Sequence, residues 1–118
     1  MATVDNVETN IITLSLDEDK SYIIWGYLIA RNTTTNGETA SYHITQSTAY
    51  RDTGGNAVLI GADITSPIIL TSQNSGGGSV DWEVNMLPDN TSISIEVTGD
   101  ATDRIEWVAH IHFAEVSG

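Results

Sequence analysis

The sequence predicts an all-β fold: an antiparallel β-sandwich or jelly roll of about eight strands, with a short extended N-terminal arm. Three observations carry that expectation. Apolar and polar residues alternate over short runs, and helical spacing is nearly absent. Turn-forming Gly, Pro, Asn and Asp recur at regular intervals. Thr, Ser and Asn together make 34 of the 118 residues and outnumber the charged set, which is 17% of the chain. Such a composition suits strands with polar outer faces better than helices, whose exposed sides draw on Lys, Glu and Arg.

Taken in order, residues 1–10 are polar and unpatterned and read as the arm, leaving 11–118 as one β-sandwich domain. Ile12, Leu14 and Leu16 alternate with Thr13 and Ser15 in a first half-buried strand, closed by a turn at Asp17-Glu18-Asp19-Lys20. Tyr22 to Arg31 makes the second strand, and the stretch from Asn32 to Gly37 closes it around Asn36-Gly37. Glu38 to Tyr50 is a third, more polar strand, and Asp52-Thr53-Gly54-Gly55 turns it into Ala57 to Ile60. Pro67 interrupts the next stretch, Ile68 to Leu70 resumes it, and Ser75 to Ser79 is a glycine-rich loop. Val80, Trp82, Val84 and Met86 alternate up to a turn at Pro88-Asp89-Asn90. Ile93, Ile95 and Val97 share a face of the following strand. After Gly99 to Asp103, a long last strand from Arg104 to Val116 lines Ile105, Trp107, Ala109, Ile111 and Phe113 on one side.

Composition excludes several classes of function. Sixteen acidic residues stand against four basic ones, a formal charge of −12, and that field repels both a phosphate backbone and an anionic membrane. Without cysteine the chain has no disulfides, thiolate metal sites or cysteine nucleophiles. No basic region followed by an apolar core marks a secretory signal at Met1 to Asp5, so synthesis in the cytoplasm is expected. The longest apolar run, Tyr22 to Ala30, is too short for a membrane-spanning helix.

That same run breaks the half-buried pattern. Tyr22, Ile24, Gly26, Leu28 and Ala30 fall on one face and Ile23, Trp25, Tyr27 and Ile29 on the other, so both are apolar. A strand with one solvated face does not read this way. The second face is covered either by a loop of the same chain or by another subunit, and Ile23, Trp25, Tyr27 and Ile29 are the candidate interface. Tyr42, His43 and Tyr50 are candidates to extend it.

Chemistry-bearing motifs are few. His110 and His112 lie two residues apart on one strand face with Glu106, a set able to bind a divalent metal. The same spacing equally describes two histidines on a polar surface. Asp17-Glu18-Asp19 lacks the spacing of a calcium loop and reads as a solvated turn. Asp81 and Glu83 share a strand face, but carboxylate pairs are inevitable among so many acids. No G-x-S-x-G elbow is present, and the glycine-rich loop lacks the Lys-Ser/Thr of a phosphate cradle. No enzymatic activity and no cofactor are expected. Trp82 and Trp107 sit in the apolar phase of their strands and read as core, whereas Trp25 fits either packing or stacking on a sugar ring.

The last third, from Val80-Asp81-Trp82-Glu83-Val84 through Ile93-Ser94-Ile95-Glu96-Val97-Thr98-Gly99-Asp100-Ala101 to Ile105-Glu106-Trp107-Val108-Ala109-His110-Ile111, resembles a β-rich module of tailed-bacteriophage virion proteins. Ala40-Ser41-Tyr42-His43, Ala49 to Gly55 and Val58-Leu59-Ile60-Gly61 are similar to its middle strands. The module occurs in capsid decoration (cement) proteins and in tail-fibre or appendage chains. The resemblance implies a non-enzymatic structural protein of the virion, usually a homotrimer. A chain whose first strand follows so soon after Met1, without coiled-coil heptads or collagen triplets, fits a decoration protein on the outer capsid surface better than a fibre. Its partners would be itself and the major capsid protein. A tail-fibre tip that binds a host glycan, or a free-standing lectin-like module, is the alternative. In a trimer, His110 and His112 could also meet on the threefold axis. Under the decoration reading the arm, with Val4, Val7 and Thr9, stays mobile until it adds as a strand to the capsid protein.

Overall fold

The computed structural model describes residues 1–34, 38–60, 68–73 and 80–118. In chain order its strands are β1 (Ala2–Thr3), β2 (Thr9–Ser15), β3 (Lys20–Asn32), β4 (Thr39–Arg51) and β5 (Val58–Ile60). They are followed by β6 (Ile68–Gln73), β7 (Glu83–Asp89), β8 (Ser92–Thr98) and β9 (Ile105–Ser117). The strands form two antiparallel sheets packed as a β-sandwich. The larger runs β1-β9-β3-β4, with β5 and β6 both pairing with β4, and the smaller runs β2-β8-β7.

Local chemistry explains the turns. Asp19 and Asn90 take left-handed backbone angles, φ 59° and 52°, at the β2–β3 and β7–β8 reversals, a conformation that short polar side chains tolerate. Pro88 falls inside β7 opposite Ile93 rather than in the turn; β7 is a sheet edge, where the missing N–H costs no ladder bond. The expected turn at Asn36-Gly37, the break at Pro67 and the glycine-rich loop lie outside the described residues.

Between the sheets lies the core that alternation predicted. Ile24, Leu28, Ile44, Met86, Ile93, Val97, Ile105 and Trp107 are fully buried. Trp107 packs against Tyr42 and Trp82, with ring centroids 5.9 and 6.2 Å away. The Tyr42 hydroxyl donates to the Trp82 carbonyl at 3.0 Å. Burial, with the Glu83 carboxylate nearby, pushes the Tyr42 phenol well above its ordinary pKa. Tyr42 therefore belongs to the core and not to the outer surface it was expected to join.

The N-terminal segment differs most from expectation. Residues 1–10 do not form a free arm. Ala2 and Thr3 pair with Glu106 and Ile105, and Thr9 and Asn10 already belong to β2, opposite Val97 and Glu96. Thr3 is buried, and its hydroxyl accepts a hydrogen bond from the Trp107 indole at 3.0 Å. A buried indole N–H without an acceptor is costly, and Thr3 supplies one. Gly99 makes room for this contact, because a Cβ there would fall 2.2 Å from Thr3 Oγ1.

Candidate functional site

Strand β3 divides its apolar residues evenly between two faces. Tyr22, Ile24, Leu28 and Ala30 point into the sandwich and are at most 3% exposed. On the opposite face Ile23 and Trp25 are 37% exposed, Ile29 48% and Tyr27 53%. The sequence places these four residues together, and the structure presents them as one row along the middle of the larger sheet.

Neighbouring strands widen the row. Across β9, Trp25 stands opposite His112, Tyr27 opposite His110, Ile29 opposite Val108 and Ile23 opposite Ala114. The Trp25 and His112 rings stack with centroids 5.8 Å apart, and those of Tyr27 and His110 at 5.5 Å. Across β4, Tyr27 faces the exposed His43 and Ile23 faces Thr48, while Tyr50 lies farther along the same face. Tyr27 is thus flanked by an imidazole on either side. Of the three residues expected to extend this surface, His43 and Tyr50 do so.

A bulge shapes the centre of the face. The β3–β4 register shifts between Ile24 and Gly26, so β4 carries an extra residue opposite Trp25. Gly26, at φ 155°, is required here: a Cβ would fall 2.2 Å from the His110 carbonyl oxygen and 2.9 Å from Ile111 Cα. The glycine lets β9 approach β3 at the point where the two ring stacks sit.

Alternation brings Glu106, His110 and His112 to one face as expected, but Glu106 binds the Arg104 guanidinium at 2.8 Å. Among the described residues no group of three or more His, Asp or Glu is placed to hold a metal ion. The two imidazoles stack on aromatic rings instead. Within this chain the arrangement offers flat, partly apolar contact area edged by hydrogen-bonding groups, suited to binding.

The other candidates are scattered. Val4 and Val7 are exposed in the link between β1 and β2, where Asp5 Oδ1 accepts the Val7 N–H at 3.0 Å. Thr9 is held in β2, on the row opposite Val97. Asp17 pairs with Lys20 at 3.3 Å and Glu18 with Arg51 at 3.4 Å, so two of the turn's three acids meet a cation of the same chain. Lys20 also meets Glu115, and these two hydrogen bonds, Glu115's foremost, raise its pKa. Asp81 and Glu83 line a shallow polar groove with Glu38 and Asp100.

Comparison with known protein families, with curated proteins and with solved structures finds no match.

Proposed function

We propose that this chain is a non-enzymatic structural protein of a tailed-phage virion, a capsid decoration (cement) protein that binds the outer capsid surface as a homo-oligomer and stabilises it. The observation that carries the assembly part is the exposed row Ile23, Trp25, Tyr27 and Ile29 on a strand buried on its other face. In a chain of charge −12 this row contains no acid, so copies can meet there without like-charge repulsion. Aromatic and aliphatic residues at the centre of a face, with polar groups at its margin, match the composition of interface cores. The virion part rests on the resemblance of the β8–β9 segment to the phage module. Trimerisation through this face, contact with the major capsid protein and placement on the virion after synthesis in the host cytoplasm follow from that reading. The exposed Val4 and Val7 then offer contacts to the capsid.

Two measurements test the proposal. Light scattering at micromolar concentration should give three times 12.7 kDa or a multiple of it, and Tyr27→Asp should reduce it. The wild-type protein should co-sediment stoichiometrically with emptied or filled capsids. A chain that remains monomeric and ignores capsids sinks both parts.

One observation favours a second reading. The exposed Trp25–His112 and Tyr27–His110 stacks present ring faces of the kind on which sugars pack. A tail-fibre tip or lectin-like module would use them to bind a glycan. A glycan screen in which Trp25→Ala abolishes a specific hit would favour it.

A further inference from the structure

At one margin of the larger sheet the backbone can be accounted for residue by residue. Strand β9 follows β3 in unbroken register, from Ile105 opposite Asn32 to Ser117 opposite Lys20. On its other side β1 pairs only with Ile105 and Glu106. Beyond them, Trp107 N donates to the Met1 carbonyl at 2.8 Å, and the Met1 amino group donates to the Trp107 carbonyl at 3.3 Å. These bonds fix which peptide groups point outward. Alternate residues of an antiparallel strand aim both N–H and C=O to the same side. Ala109, Ile111, Phe113, Glu115 and Ser117 are in phase with Trp107 and therefore turn theirs away from β3. The His110 carbonyl oxygen shows the opposite phase, lying against Gly26 on β3. Among the described residues, no strand pairs with β9 at these outward groups.

Natural sheets guard such edges with Lys, Pro, bulges or very short strands. None of these devices protects residues 109–117. The stretch contains neither Lys nor Pro, its register with β3 has no shift, and its one charge, Glu115, is held by Lys20 at 3.0 Å.

We propose that β9 joins two copies of this chain edge to edge, antiparallel about a two-fold axis at Phe113, into one continuous sheet. The outward groups run from Ala109 to Ser117, a window centred on Phe113. Setting Phe113 against Phe113 of the second copy places Ile111 against Glu115 and Ala109 against Ser117. In this register each outward N–H and C=O of the window meets a complementary group, and neither copy reaches the edge that β1 occupies. A second copy fits the chemistry. Each Glu115 faces Ile111 and not another acid, which matters between chains that each carry −12. The two Phe113 side chains, each 48% exposed, cover one another across the axis. The inference is independent of the virion reading. It uses in-plane backbone bonds, whereas the assembly proposed above stacks on the outer face.

Cysteine cross-linking tests it cleanly, because the chain contains no cysteine. Phe113→Cys would occupy the symmetric pair, whose Cα atoms lie roughly 5.5 Å apart, inside the roughly 4.4–6.8 Å span of a disulfide. Under a mild oxidant at micromolar concentration it should become a covalent dimer, far outpacing Val7→Cys, an exposed collision control. Equal yields from the two variants overturn the proposal. Phe113→Pro removes an outward N–H that β3 does not use. Its light-scattering mass should fall twofold relative to wild type, with the tryptophan near-ultraviolet circular dichroism retained. If Phe113→Pro instead loses that signal, the cysteine comparison decides alone. A wild-type trimer whose mass Phe113→Pro leaves unchanged, with no selective cross-link, removes the edge contact and leaves the outer-face assembly standing. A cross-linked dimer whose mass Tyr27→Asp does not alter does the reverse.

Discussion

The two outward faces of this sandwich are built from different chemistry. The smaller sheet turns Asn10, Thr13, Ser15, Asn85, Ser92 and Glu96 outward, with Ser94 buried between its cross-strand neighbours Thr13 and Leu87. That is the polar surface expected of an antiparallel sheet facing water. The larger sheet turns out Ile23, Trp25, Tyr27, Ile29 and Val108, interleaved with His43, His110 and His112. Both faces cover the same core, so the needs of folding do not distinguish them. An unneeded row of large apolar side chains exposes the molecule to aggregation, which marks it as a surface for contact. The polar face is the internal control.

The largest expected effect tests whether the faces have been assigned correctly. Trp107 is 2% exposed between the sheets, so Trp107→Ala should cost about 3–5 kcal/mol, measured by chemical denaturation. An unchanged midpoint would reverse inside and outside along β9 and dissolve the comparison. Gly26→Ala comes next. Its Cβ would collide with the backbone of β9, which has no side chain to rotate away, so a loss of about 1–3 kcal/mol or more is expected. Little change would mean that β3 and β9 separate easily at the ring stacks. Thr3→Val leaves the Trp107 indole without its acceptor and should cost about 1–3 kcal/mol in the same assay.

Much of this division was legible in the sequence, and its limits have physical causes. Period-two alternation places Ile93, Ile95, Val97, Trp82 and Trp107 correctly, because each strand buries one face. The doubly apolar run identifies β3 as exceptional, yet alternation cannot say whether a loop or a subunit covers the second face. Tyr42 was misplaced because its strand is short of apolar residues, and its burial depends on a carbonyl acceptor 40 positions away in the chain. The N-terminal segment was misread for the same reason. Two paired residues, Ala2 and Thr3, make too short a pattern to detect, and the Thr3–Trp107 bond spans 104 positions. No local signal points to Thr3. The unguarded edge of β9 was equally invisible, since a strand's neighbours are set by topology.

Substitutions on the apolar outer face sharpen the comparison at smaller energies. Ile29→Ser exchanges a half-exposed side chain for a polar one and should shift the stability of the isolated chain by no more than about 0.5 kcal/mol. Its effect belongs in assembly: the concentration needed for the oligomer should rise in light scattering. A large loss of chain stability with assembly unchanged would make this face part of the fold and not a contact.

The smallest expected effect lies on the polar face. Glu96 on β8 has its pKa raised, first by desolvation, then by a hydrogen bond with Glu8 and by the charges of Glu8 and Asp89. A carboxyl that holds its proton more tightly in the folded state contributes stability below its ordinary pKa, where it is protonated. That contribution is lost as pH climbs through the raised value. At neutral pH the charged pair mildly opposes folding. Glu96→Gln should therefore stabilise the chain against chemical denaturation at neutral pH, by about 0.5 kcal/mol or less because water screens the site, and change nothing in acid. It should leave the oligomer mass unaltered, since the polar face takes no part in the proposed contacts. If Glu96→Gln disperses the oligomer while Ile29→Ser does not, the roles of the two faces are exchanged, and the aromatic row loses its claim to be the binding surface.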